Sequence, residues 1–202
     1  MKFCSSPTSP FARKAMVTAL EKGVDNQLEI VSPDLTDVFK GINPSNPLGK
    51  IPSLELDDGT VIFDSIVIAE YLDNVSGNPT LFPTDMKERA KTMTLHALAN
   101  GMTDAAFTRR WGSTMLPEDE RSPSWNARLK IAIDKSLDQL EAQIDDFVGK
   151  VDIAAIAIGC ALGYLDFRFA DENWREGRPK LAAWYEEFAA RPSMKATVPP
   201  EG

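Results

Sequence analysis

Three short stretches of this chain carry residue types that could do chemistry without a metal: Ser9-Pro10, Ile51-Pro52 and Asp64-Ser65. Ser9 stands before a segment with helical periodicity, so it occupies an N-cap, with Pro10 at the first helical position. A helix N-terminus presents unpaired N–H groups and roughly half a positive charge. An anion placed there is stabilised without any lysine. Taken alone, Ser9 is a structural cap. Ile51-Pro52 follows an Asn- and Gly-containing loop and opens a strand. Proline there is ordinarily a trans edge residue, since only about 5–6 % of X–Pro bonds in folded proteins are cis. A cis bond would instead turn the Ile51 N–H and C=O toward an open site, where an extended ligand backbone could pair as an added strand. In Phe63-Asp64-Ser65-Ile66 a strand runs into a second helix N-terminus. The Ser65 N–H and hydroxyl could hold a carboxylate there and Asp64 an amine, while the ordinary reading is again an N-cap.

The elements that would position these residues can be read from periodicity. Lys2-Phe3-Cys4 reads as a first strand and Ser5 to Pro10 as a loop. Phe11, Ala12, Ala15, Met16, Ala19 and Leu20 fall on one helical face that Gly23 closes. Leu28 to Val31 reads as a second strand, and Leu35 to Lys40 as a short helix. A turn-rich loop, Asn43 to Lys50, follows. Ile51 to Leu56 and Thr60 to Phe63 read as strands joined by the hairpin signal Asp57-Asp58-Gly59. Ile66 to Leu72 continues as an apolar helix ending near Gly77. The order β-α-β-(α)-β-β-α describes a compact α/β domain over residues 1–78. A Pro-marked linker, 79–85, leads to residues 86–202, where strand signals vanish. Helices are predicted at Met86–Thr114, Ser124–Phe147, Ile153–Phe169 and Pro179–Ala190. The Asp152–Phe169 stretch is apolar nearly all round, which predicts a buried central helix.

Composition narrows the chemistry further. The net charge is -8 and the isoelectric point about 4.8. Such a surface repels nucleic acid and anionic membranes, so neither is an expected partner. Two cysteines far apart, Cys4 and Cys160, argue against a disulfide framework and for a reducing, cytoplasmic setting. A single histidine, His96, excludes most His-rich metal sites and is expected on a helix surface or in packing. No apolar run reaches membrane-spanning length, and Met1-Lys2-Phe3-Cys4 running into Ser and Pro does not read as a secretory signal.

One ligand satisfies all the candidate stretches: a free α-amino-acid end, a middle peptide unit and an anionic centre. That describes glutathione, through its γ-glutamyl carboxylate and amine, cysteinyl backbone and thiolate. At this point the chain resembles a known family. Ser6-Pro7-Thr8-Ser9-Pro10-Phe11-Ala12-Arg13-Lys14, Asn46-Pro47-Leu48-Gly49-Lys50-Ile51-Pro52-Ser53-Leu54 and Phe63 to Leu72 are similar to the cytosolic glutathione S-transferases, bacterial and serine-type. The resemblance continues through Gly159 to Arg168 and Arg191-Pro192-Ser193-Met194. It implies a thioredoxin-like α/β N-terminal domain, an all-α helical-bundle C-terminal domain, a homodimer and a cis Pro52. It further implies glutathione as co-substrate, no metal, and a small hydrophobic electrophile. By family position Ser9 is the thiol-activating hydroxyl, with Thr8 as the alternative catalytic donor. Asp64 and Ser65 match the γ-glutamyl site and Ile51 the residue pairing with the cysteinyl backbone; Pro52, Lys50 and Phe11 complete the glutathione-binding set. One departure is visible: Asp152 takes the cap of the buried helix and Ala155 stands where the family carries an acid, so the reciprocal half of the capping box is gone.

Within this reading the attacking atom is the ligand sulfur, Ser9 is a hydrogen-bond donor, and no histidine base is needed. An electrophile pocket is expected between the domains, with Phe11, Met102, Phe107, Trp111 and Met115 as apolar candidates that core packing would equally explain. Arg109-Arg110 reads as a solvated helix face. The competing readings are a non-catalytic binder of glutathione or hydrophobic ligands, and a glutathione-dependent isomerase or dehalogenase. A thiol–disulfide oxidoreductase ranks below these, because it wants a low-pKa cysteine where Ser9 stands.

Overall fold

The computed structural model describes residues 1–77 and 80–200. The boundary at residues 78 and 79 and the last two residues of the expected second domain lie outside the described residues. Two compact units are present: Met1–Thr84 together with the chain from Pro192 onward, and Asp85–Arg191.

The first unit is built on a four-stranded mixed sheet in the order β2-β1-β3-β4. β1 (Lys2–Cys4) pairs parallel with β2 (Glu29–Val31) and antiparallel with β3 (Ser53–Glu55), which pairs antiparallel with β4 (Val61–Ile62). The latter two strands are shorter than periodicity predicts. Pro52 has no N–H to give a ladder, and Leu56 N already turns back to Thr60 O at 2.8 Å. The helices of this unit are α1 (Pro10–Lys22), α2 (Leu35–Phe39) and α3 (Ser65–Ser76). α1 and α3 enclose a core with Phe3, Leu54, Ile68 and Leu72, each fully buried. Alanines at 12, 15 and 19 face that core and allow the two helices to approach closely. The apolar stripe of α1 gives only part of its burial: Arg13, Lys14 and Thr18 are buried as well. Gly23 ends α1 in the left-handed region at φ 65°, the backbone conformation glycine adopts without steric cost.

The second unit contains α4 (Met86–Thr114), α5 (Pro123–Ala142), α6 (Ile153–Arg168) and α7 (Pro179–Ala189). Every residue of α6 from Ile153 to Leu165 is buried, as an all-round apolar helix requires. Asp152 caps it, its Oδ1 accepting from Ala155 N at 2.9 Å. The expected single helix Ser124–Phe147 instead breaks after Ala142 into a 3₁₀ turn over Ile144–Asp146. Asp145 and Asp146 would oppose the helix dipole at a C-terminal end. His96 is buried within α4.

The linear division that gives residues 86–202 to one helical domain is corrected at its far end. α8 (Pro192–Lys195) and the residues after it belong to the first unit. They are tied there because Arg13 donates to Met194 O at 3.0 Å and to Thr197 Oγ1 at 3.2 Å, and Ser193 donates to Glu21. A four-residue helix has too short a period to announce itself in sequence.

Candidate functional site

Strand register brings the three candidate stretches to one end of the sheet. Cys4, the last residue of β1, lies opposite Ser53, the first of β3, and Leu54 lies opposite Ile62, the last of β4. The chain leaving Cys4 toward Ser9, the Ile51-Pro52 pair entering β3, and Phe63-Asp64-Ser65 leaving β4 therefore emerge side by side. Both α1 and α3 begin at this end, so their N-terminal N–H groups and partial positive charges meet there. Neither helix has an acid within its first turn, so at α1 nothing cancels that charge, while α3 carries the capping carboxylate of Asp64.

Ser9 caps α1 in the expected way, its Oγ accepting from Ala12 N at 3.2 Å. Its own N–H donates to Ser6 O at 3.1 Å, which holds the loop closed behind it. The Ser9 hydroxyl proton has no acceptor among the described residues, so a half-buried donor is left for a ligand. Thr8 is placed differently: its Oγ1 lies 3.2 Å from the buried Ser6 Oγ. Phe11 is half-buried in the first turn of α1.

The Ile51–Pro52 bond is cis. Pro52 is buried, Ile51 half-buried, and neither backbone group of Ile51 has a partner among the described residues. The preceding loop is built by side chains that sequence reasoning passed over as turn formers. Asn43 and Asn46 are both buried, and each donates its amide to Lys50 O at 2.9 Å. Their carbonyl oxygens accept from Ser45 N and Leu48 N. The paired asparagines of Asn43-Pro44-Ser45-Asn46-Pro47 were the available signal, since such side chains mimic backbone turns. The Lys50 carbonyl is thus fixed while its side chain is exposed. Gly49 sits at φ 65°, and a Cβ there would lie 2.4 Å from the Gly41 carbonyl carbon and oxygen. We expect Gly49→Ala to lower stability by about 1–3 kcal/mol through overpacking and strain and to weaken tripeptide binding. Urea denaturation and calorimetric titration with glutathione check both.

At the third stretch the Phe63–Asp64 bond is also cis. Asp64 caps α3 with one carboxylate oxygen, accepting from Ile66 N at 3.1 Å, and is otherwise exposed. Ser65 is 2 % exposed, and its hydroxyl has no hydrogen-bond partner among the described residues. The arrangement can therefore offer a carboxylate to an amine, a hydroxyl and helix N–H groups to a carboxylate, an unpaired peptide unit to an extended backbone, and a hydroxyl at a helix N-terminus to an anion.

Cys4 is buried behind this end of the sheet. Burial pushes its thiol up, against the opposing pull of the Ser53 hydroxyl and Asn43 amide. It is held as a neutral thiol, a poor nucleophile. In the second unit, Arg109 is not a solvated residue: its guanidinium forms a bidentate pair with Glu172, one bond at 2.6 Å, and donates to Asn126. A solvated face fails there because three elements converge on the guanidinium. Of the apolar candidates, Met102 is core, whereas Phe107 and Met115 are exposed, Phe107 lying 6.0 Å from the Trp111 ring. No group of three or more potential metal ligands occurs among the described residues. No helix among them is long and apolar enough to cross a membrane.

Comparison with known proteins agrees with this architecture. Residues 8–75 match the family model of the glutathione S-transferase N-terminal domain, and residues 123–187 that of the C-terminal domain. The chain is 36 % identical to the uncharacterized GST-like protein YibF of Escherichia coli, over 100 % of both chains. A glutathione transferase family member from Pseudomonas fluorescens Pf-5, solved with bound glutathione, superposes with a TM-score of 0.94 at 42 % identity, covering 98 % of each chain. A glutathione S-transferase from Methylobacillus flagellatus, also with glutathione bound, gives a TM-score of 0.89 at 34 % identity, covering 98 % of this chain and 99 % of the other. A thioredoxin-like α/β unit followed by a helical unit, matched along its length by such relatives, places the chain in the glutathione S-transferase family.

Proposed function

We propose that this protein is a glutathione transferase that activates the thiol of bound glutathione, stabilising it as the thiolate with its proton released to solvent, for attack on a small hydrophobic electrophile. The observation that carries the reading is the uncommitted Ser9 hydroxyl at the N-terminus of α1, at the same sheet end as Ile51 and Ser65. Asp64 and Ser65 would take the γ-glutamyl amine and carboxylate. The Ile51 peptide would pair with the cysteinyl backbone beside cis Pro52, and Lys50 and Phe11 would flank the tripeptide. The sulfur would then sit at the positive end of α1.

Magnitudes support that geometry. A free thiol has a pKa near ~8.5, so only a few per cent is ionised at neutral pH. Lowering it by about two units takes roughly 2.7 kcal/mol of preference for the anion. A hydrogen bond to a charged group contributes ~1.5–3 kcal/mol, and a helix N-terminus adds ~0.3–1 kcal/mol. The Ser9 O–H and the first turn of α1 supply the shift between them. The state of Cys4, buried and protonated, counts against thiol–disulfide exchange as the main activity. A homodimer in the cytoplasm belongs to the same reading, on family resemblance.

The test is a screen of aryl halides, epoxides, enones, haloacids and isomerisable diketones with glutathione, following loss of free thiol and formation of isomer separately. Catalysed thiol loss with adduct formation is expected. Isomer formation with the thiol retained would make the protein an isomerase. Glutathione binding without turnover on any electrophile would make it a binding protein.

A further inference from the structure

Among the described residues Arg13 is a buried cation without an anion. It is 7 % exposed, and its guanidinium donates only to neutral oxygens, Nε to Thr197 Oγ1 at 3.2 Å and Nη2 to Met194 O at 3.0 Å. No carboxylate pairs with it among the described residues, and Nη1 makes no hydrogen bond among them. Taking a charge out of water costs several kcal/mol unless it is paired. A guanidinium fork is also shaped for a planar carboxylate.

The same side chain lines a cavity of about 200 Å³ within the first unit. Ser5 and Ser32 also line it, and neither hydroxyl has a partner among the described residues. The remaining wall is largely apolar, with Met16, Ile30 and Val198. A local cation is needed for any anion to settle on a chain of net charge -8, and Arg13 supplies one. The volume falls below the ~300–1,000 Å³ of clefts that take drug-sized ligands, so it suits a small acid rather than a tripeptide.

We propose that this cavity is a binding site for a small organic carboxylate with an apolar body, its carboxylate on Arg13 and the Ser5 and Ser32 hydroxyls, its apolar part against Met16, Ile30 and Val198. The apolar wall is what selects a carboxylate over phosphate, whose remaining oxygens would face hydrocarbon. The cavity borders the candidate glutathione site, since Ser6, Pro7 and Ala12 also line it, but its cation lies one turn beyond Ser9 and is tied to the C-terminal segment.

The experiment is a titration of the full chain with benzoate and with the neutral isostere benzamide, followed by amide nitrogen–proton correlation spectra, with and without glutathione. Saturable shifts at the amides of Ser5, Arg13 and Thr197 are expected with benzoate. They should persist with glutathione present, and benzamide should bind at least about tenfold more weakly. Arg13→Gln should abolish benzoate binding. That substitution also removes the bonds to Met194 and Thr197 and can unfold the chain, so Ser32→Asp is the second variant. It puts a carboxylate at an exposed position on the cavity wall and should weaken benzoate about tenfold or more. Equal binding of benzoate and benzamide, shifts confined to Ser9, Ile51 and Ser65, loss of the shifts on adding glutathione, or unchanged affinity in Ser32→Asp would each overturn the proposal.

Discussion

Replacing Ser9 by alanine is expected to cut conjugation by roughly 10- to 100-fold near neutral pH, the equivalent of the ~1.5–3 kcal/mol of a hydrogen bond to a charged atom. Affinity for glutathione should change little, because the tripeptide would be held mainly by Ile51, Asp64 and Ser65. Removing the donor returns the bound thiol toward its ordinary value near ~8.5. The pH–rate profile should therefore move to higher pH, and the activity gap should narrow as the pH rises. Ser9→Thr, which keeps a hydroxyl at the cap, should recover most of the rate. Ser9 also caps α1, so Ser9→Ala carries a separate stability cost of about 0.5–2 kcal/mol. A thermal melt run beside the kinetics separates the two effects. An unmoved pH profile with full turnover would remove Ser9 from the mechanism and turn attention to Thr8, whose hydroxyl already faces Ser6.

Asp73→Ala is expected to destabilise the first unit by about 3–5 kcal/mol, the cost of stranding one member of a buried ion pair. Lys22 Nζ lies 2.8 Å from Asp73 Oδ1, and the two side chains are 2 % and 3 % exposed. Asp73 also accepts from Thr80 Oγ1 at 2.7 Å and Leu81 N at 2.9 Å. It therefore joins the end of α1, the last turn of α3 and the chain beyond. Against a total stability of ~5–15 kcal/mol, that loss is enough to leave the chain partly unfolded at physiological temperature. Exchanging both partners, Lys22→Met with Asp73→Leu, should recover only part of it: the apolar pair needs no desolvation offset, but Leu81 N loses its acceptor.

The same carboxyl predicts an acid limb. Burial raises the Asp73 pKa, but the Lys22 ammonium, Thr80 hydroxyl and Leu81 N–H outweigh it, and the folded value lies below the ordinary carboxylate range. A carboxyl with a depressed folded pKa stabilises fully above its unfolded value of ~3.9 and loses that stabilisation as pH falls through the folded value. Urea midpoints should drop below about pH 4, and Asp73→Asn should flatten that limb while lowering the plateau above it. A wild-type midpoint independent of pH in that range would show that Asp73 does not control it.

Much of the candidate site was legible in the chain. Ser9-Pro10 and Asp64-Ser65 announce helix starts by local rules alone, because capping satisfies N–H groups within three residues. The all-round apolar run from Ile153 predicts its own burial. Local chemistry of this kind does not depend on what packs nearby. The roles of Arg13 and Asp73 were not legible, because each depends on a partner supplied by the fold. Arg13 reads as one more helix-surface cation until residues 194 and 197 close over it. Asp73 reads as a solvated residue near a helix end until Lys22 and Leu81 reach it.

The sequence by itself determined where the long helices begin, that the run from Ile153 is buried, and which groups could meet an acidic peptide; these follow from contacts between residues three or four apart and from patterned hydrophobicity. Only the tertiary structure decided that the strand ends align those groups, that the C-terminal segment returns to the first unit, and which charges lose their water. Those outcomes rest on contacts between residues 53 to 181 positions apart, whose desolvation and pairing energies no local window of sequence contains.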